Sequence, residues 1–120
     1  MKLIYLASPF THKSKWIMKL RWAIITALGA KLVSLGYHIF GPITESHAYD
    51  EFGVGQHGWD FWQAHDHLMI EKCDELWVVK MKGWKESLGV NAEIAYALSQ
   101  DKQVFYIDPE EYLPELNEVF

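Results

Sequence analysis

Four short apolar runs alternate with longer stretches of helical character, and that alternation constrains the fold more than any other feature of the chain. Residues 2–7 (KLIYLA), 37–40 (YHIF), 74–81 (DELWVVKM) and 103–107 (QVFYI) are rich in β-formers, and each reads as a strand. Between them, residues 14–35, 59–72 and 88–100 read as helices. Ser14 suits the N-cap of the first helix, and Gly36 stands where a left-handed C-terminal residue is wanted. Strand–helix alternation predicts a parallel sheet with right-handed crossovers and helices on both faces. The expected domain is therefore α/β, flavodoxin-like or Rossmann-like, with strand order 2-1-3-4. In such a sheet the ligand crevice opens beyond the carboxyl ends of strands one and three. That directs attention to residues 8–13 and 82–93. Residues 43–58 show no periodicity and contain three glycines, so they read as a long functional loop holding no more than one helical turn.

Composition narrows the function classes. A chain of 120 residues, 50% hydrophobic and 22% charged, has globular composition and the size of one domain, taken as residues 1–120. Eleven Lys and Arg against sixteen Asp and Glu leave a net charge of −5, which argues against duplex nucleic acid as a partner. Cys73 is the only cysteine, which suits a reducing, cytoplasmic setting. The uncharged stretch over residues 22–30 is far shorter than the roughly 20 residues of a membrane span. Residues 1–10 do not read as a secretion signal. No membrane partner is expected.

Two carboxyl groups stand out. On a helix over residues 59–72, Asp66 shares a face with Trp62, Met69 and Cys73, so a carboxyl sits in an apolar stripe and either finds donors or takes a raised pKa, the second being what a general acid near neutrality requires. Glu93 follows Ser87-Leu88-Gly89-Val90 near a helix start, where the dipole is expected to favour its ionised form. Carboxyls pushed apart in this way suggest an ionised nucleophile and a protonated acid, the division of labour of retaining glycosidic chemistry. Each also has a plainer reading, Asp66 as a solvated edge residue and Glu93 as a group that merely satisfies the dipole. Ser87, Gly89 and Val90 could hold a phosphate at the helix N-terminus, or Ser87 could simply cap it.

Other features carry less. Gly53-Val54-Gly55-Gln56-His57-Gly58 spells a dinucleotide fingerprint without the preceding strand the motif requires. His65 and His67 lie about 200° apart on a helix and cannot share one ion. Glu45, His47, Asp50 and His57 have no ligand spacing, so neither a metal nor another cofactor is expected. His47 or His57 is instead expected to contact a ligand or cap a turn. Cys73 reads as a buried small hydrophobe, and Trp84, in the loop after the third strand, is placed to stack on a base. The first helix carries two apolar stripes. Ile17, Leu20, Ile24, Leu28 and Leu35 would cover the sheet, whereas Met18, Trp22, Ile25 and Val33 need a second partner, either the helix over residues 59–72 or another subunit.

With these residues in view, the chain resembles the nucleoside 2-deoxyribosyltransferase superfamily, especially the deoxynucleoside 5'-monophosphate N-hydrolases. It resembles more closely still a small bacterial and phage family of unknown function beside them. The matching pieces are Ile4-Tyr5-Leu6-Ala7-Ser8-Pro9-Phe10, Asp66 eight residues before Asp74, and Ser87-Leu88-Gly89-Val90 with Glu93. The resemblance implies that Glu93 attacks the anomeric carbon, Asp66 handles the proton on the base and Tyr5 positions the nucleophile. It implies a 5'-phosphate contact at Ser87 and a homo-oligomer, dimer or tetramer. Ser8, Pro9, Phe10, His47, Trp84, Gly89 and Val90 complete the expected substrate surface. Ser8-Pro9-Phe10 departs from the superfamily's glycine-containing turn, and residues 42–62 have no clear counterpart. The expected activity is cleavage of the N-glycosidic bond of a nucleoside or nucleotide, the alternative a nucleotide-binding module without turnover.

Overall fold

A computed structural model describes residues 1–53 and 58–115. Its elements are β1 (Leu3–Ala7), α1 (Lys15–Ser34), β2 (His38–Phe40), α2 (Pro42–Glu51), α3 (Trp59–Lys72), β3 (Glu75–Val79), α4 (Leu88–Ser99), β4 (Gln103–Ile107) and a 3-10 turn at Pro109–Glu111. The four strands form one sheet in the order β2-β1-β3-β4 with every neighbouring pair parallel, as the alternation predicts. Among the described residues, no helix is long and apolar enough to cross a membrane.

Alternation along β1 divides the core in two. Ile4 and Leu6 join Ile24, Ile25, Leu28 and Leu32 of α1, whereas Tyr5 and Ala7 join Ile70 of α3 and Val90 and Ala97 of α4. A tyrosine at an odd position of β1 therefore points toward the two helices that carry Asp66 and Glu93. Cys73 is buried in the same cluster, and burial pushes its thiol up to about 11, so it packs as a small hydrophobe.

The ends of α1 match the sequence. Ser14 accepts from the Ile17 amide at 3.3 Å. Gly36, at φ +97°, ends the helix in a Schellman motif, with Tyr37 N–H donating to Leu32 O at 3.0 Å and Gly36 N–H to Val33 O at 2.9 Å.

The segment after β2 differs from expectation. The long loop expected over residues 43–58 is a ten-residue helix, α2, as far as Glu51. Pro42 presets its first turn and Glu45 complements its dipole, but no apolar stripe advertises it. Its stability comes from docking on α1. Trp22 Nε1 donates to Thr44 O at 3.4 Å, and the Thr26 and Thr44 hydroxyls lie 2.7 Å apart. The His47 ring packs 5.0 Å from that of Trp22. Trp22 of the second stripe thus finds its partner in α2 of the same chain, not in the helix over residues 59–72. Ile25 is buried, whereas Val33 remains 57% exposed.

Candidate functional site

Tyr5, Asp66 and Glu93 converge from three elements. The Tyr5 hydroxyl donates a short hydrogen bond to Glu93 Oε2 across the β1–α4 boundary. The same hydroxyl acts on Asp66 and draws that carboxyl's pKa down. The opposing effect of burial is larger, and Asp66 is pushed up to about 6, with Glu45 adding to the rise and His65 opposing it. Burial also pushes Glu93 up to about 8, the Tyr5 hydrogen bond opposing the rise and the Asp66 charge adding to it. Tyr5 itself is raised well above its ordinary value, first by burial and then by the two carboxylates.

The expected ionised state of Glu93 is therefore reversed. Helix α4 begins at Leu88 and has no acidic residue in its first turn, so Glu93 lies a turn deeper than the reach of the dipole. Desolvation against β1 and α3 governs it instead. Asp66 is the more acidic of the pair, and both carboxyls are raised.

Two histidines of α3 part company, as a separation of about 200° requires. His67 stacks on Tyr96 of α4 with ring centroids 3.7 Å apart, and the Tyr96 hydroxyl donates to Glu71. These contacts fix α3 against α4, and with them Asp66 against Glu93. His65 faces the other way, its Nε2 3.1 Å from Glu45 Oε1 on α2. Phe40 and Trp62 pack edge-on against the His65 ring at 6.3 and 5.7 Å. Glu45, His65 and Phe40 were not singled out by sequence reasoning as site residues, because they converge only once α2 has formed. Their signal was the Pro42 start, which places Glu45 in the first turn of a helix.

The remaining candidates scatter around this centre. Ser8 and Pro9 are buried at the carboxyl end of β1, and the Ser8 hydroxyl has no hydrogen-bond partner among the described residues. Phe10 packs edge-on against His47 at 5.7 Å, which joins the loop after β1 to α2. His47 also lies 3.2 Å from Glu51. Ser87 caps α4, its Oγ accepting from the Val90 amide at 3.1 Å. Val90 is buried and its amide is committed to that cap, so its N–H is not a free anion donor. Space around the Cα of Gly89 is open, with only Ser87 Oγ nearby at 3.8 Å from where a Cβ would stand. Trp84 packs against Tyr106 with centroids 5.5 Å apart, and Lys85 Nζ lies 5.6 Å from its ring centroid. His57 and residues 54–57 of the glycine-rich hexapeptide lie outside the described residues.

Arg21 ties the two crevice loops together, and nothing in the sequence pattern marks it. Its guanidinium donates to Phe10 O at 3.4 Å, Thr11 O at 3.1 Å and Lys82 O at 3.3 Å. Gly83, at φ +94°, lets it approach, since a Cβ there would stand 2.5 Å from Arg21 Nη2. At the opposite end of the sheet, a shallow cavity of about 510 Å³ is lined by Tyr37, Glu75 and Trp77 among others. Its carboxylate is already satisfied, Glu75 accepting from Lys2 Nζ at 2.7 Å and Trp77 Nε1 at 3.0 Å. The chemistry therefore concentrates between β1, α3 and α4. Among the described residues no group of three or more His, Cys, Asp or Glu side chains is arranged to hold a metal ion.

Curated proteins offer no match to this sequence. A family model does match, over residues 2–108, a stretch that includes β1, both carboxyl-bearing helices and all four strands. The chain that gathers this tyrosine and two carboxyls thus belongs to the family described as a domain of unknown function, DUF1937.

Proposed function

We propose that the protein cleaves the N-glycosidic bond of a nucleoside or nucleoside 5'-monophosphate, as the resemblance to the nucleoside 2-deoxyribosyltransferase superfamily implies. The observation that carries this reading is the convergence of Tyr5, Asp66 and Glu93, with the Tyr5 hydroxyl bonded to Glu93 and acting on Asp66. In the first step a Glu93 carboxylate oxygen bonds to the anomeric carbon while the C–N bond breaks. The electron pair leaves with the base, and Asp66 delivers the proton that neutralises it. Asp66 then takes a proton from water, the hydroxyl attacks the anomeric carbon, and Glu93 is released.

Burial raises both carboxyls, so near neutrality the free pair retains a proton that it shares. The proposed step needs that proton on Asp66. The Tyr5 hydroxyl, which donates to Glu93 and acts on Asp66, couples the two carboxyls. The three groups titrate as a unit, so substrate binding selects the productive arrangement.

A second assignment is favoured by the acidity order of the pair. Asp66, the carboxyl more readily ionised, would be the nucleophile and Glu93 the acid. Trapping with a 2-fluoro-2-deoxynucleoside followed by peptide mass mapping distinguishes the two by the residue that carries the sugar.

The primary test is incubation with a panel of nucleosides and their monophosphates and chromatography of the released bases. Glu93→Ala is expected to reduce release about a thousandfold or more while leaving the circular dichroism spectrum intact. Asp66→Asn is expected to lose most with poor leaving groups. Ligand binding without base release by the unmodified protein would replace the enzyme with a nucleotide-binding module.

A further inference from the structure

Strand β4 is an edge strand that the described residues leave open. It pairs only with β3, in a register that sets Val79 against Ile107 and Trp77 against Phe105. Lys80 N–H donates to Ile107 O at 2.9 Å, so the carbonyl of Ile107 points toward β3. Backbone groups alternate in direction along a strand, so Gln103, Phe105 and Ile107 face β3, while Val104 and Tyr106 send their N–H and C=O groups to the open edge. The protective devices common on such edges are missing, since β4 contains no proline, no charged residue and no bulge. Phe105 and Tyr106 are 43% and 49% exposed, on opposite faces of the sheet. The other edge, β2, is only three residues long.

We propose that β4 pairs antiparallel with β4 of a second copy of this chain, about a two-fold axis at Phe105, to make one continuous sheet. The backbone and the flanking charges select this register together. Groups facing outward must meet groups facing outward, which Val104 against the second copy's Tyr106 achieves, each such pair exchanging both hydrogen bonds. Phe105 then lies directly across from its own symmetry mate on the α1 side, in the close, non-hydrogen-bonded position that favours aromatic contact. One step beyond the strand, Lys102, whose Nζ donates to Glu71 O at 3.1 Å and has two further protons to give, falls opposite the second copy's Asp108. Asp108, paired with Lys80 at 3.1 Å and partly exposed, would then sit between its own Lys80 and the second copy's Lys102. Sliding the register to place Val104 on its own mate would put Lys102 against Tyr106 and Asp108 against Gln100, and the charge match is lost. A second copy is the occupant that supplies complementary charge at both ends of the strand and an equal complement of outward donors. This pairing is independent of the chemistry proposed for Glu93, so failure of either leaves the other standing.

Sedimentation equilibrium of the full chain at micromolar concentration tests the pairing. The expected mass is twice 14.0 kDa. Val104→Pro removes an N–H that β3 does not use, and Tyr106→Lys places a charge on the edge. Each is expected to give a folded species of 14.0 kDa, and the second keeps the test decisive where proline disturbs the strand. Lys102→Glu and Asp108→Lys are each expected to weaken association about fivefold or more, and the double exchange, made in a Lys80→Glu background so that residue 108 keeps an opposite charge beside it, to restore it. A monomeric unmodified chain, a dimer that survives Tyr106→Lys in folded form, or a double exchange no better than the single changes would overturn the proposal.

Discussion

Glu93 is the residue whose environment departs most from what its sequence position implies. Near a helix start a glutamate is ordinarily stabilised as the anion, yet burial holds it up to about 8, above its ordinary value of 4.5. Folding raises the pKa of both Asp66 and Glu93, so the native state binds more protons than the unfolded chain. Stability is then fullest below the unfolded values near 4 and falls as pH rises through about 6 and about 8. Glu93→Gln keeps an acceptor for the Tyr5 hydroxyl and removes the ionisation. Urea unfolding at pH 5 and pH 8 should show the variant gaining about 1–2 kcal/mol relative to the parent at the higher pH only. Equal pH dependence in the two proteins would refute the buried environment assigned to this carboxyl.

Among the elements, α4 and α2 illustrate opposite lessons. Helix α4 is legible at its start, where Ser87 caps Val90, but its end is strained. Asp101 adopts φ +58° where α1 uses glycine, and its amide donates to Leu98 O while Lys102 N–H donates to Ala97 O. An acidic residue there also opposes the negative end of the helix dipole. Asp101→Gly is expected to raise unfolding free energy by about 0.5–1 kcal/mol, measurable as a higher urea midpoint with unchanged slope. Helix α2 was hidden because it has no apolar face of its own to reveal. Its contacts are the polar and aromatic groups Thr44 and His47 against Trp22 and Thr26, and a pattern built on hydrophobic spacing does not register them. The same oversight left Glu45 unrecognised beside His65.

For the whole molecule, the crevice at the carboxyl ends of β1 and β3 brings loops from distant parts of the chain under a single strut, Arg21. A ligand that binds only this assembled state must stabilise it. A nucleoside monophosphate at a hundred times its dissociation constant should add about 2.7 kcal/mol to unfolding free energy, whether or not turnover follows. If the amides of Leu88 and Gly89 hold the 5'-phosphate, the parent nucleoside at equal concentration should stabilise less, and Ser87→Ala should narrow the difference. Identical thermal shifts for nucleoside and monophosphate in the unmodified protein would leave Ser87 as a helix cap and nothing more.

By itself the sequence determined the parallel sheet and, through the fold class it implies, the strand order, because strand–helix alternation is local in the chain, whereas a role for Tyr5 came only from the family resemblance. The raised pKa of Asp66 was one of the two outcomes that a carboxyl within an apolar helical stripe allows, the other being a set of donors. Only the tertiary structure decided the state of Glu93, since desolvation depends on what packs above it, and a helix dipole is the one part of that environment visible locally. It also decided that residues 42–51 form a helix and that this helix, rather than α3, covers Trp22. Both outcomes rest on contacts between segments far apart in sequence, whose energies appear in no local pattern of residues.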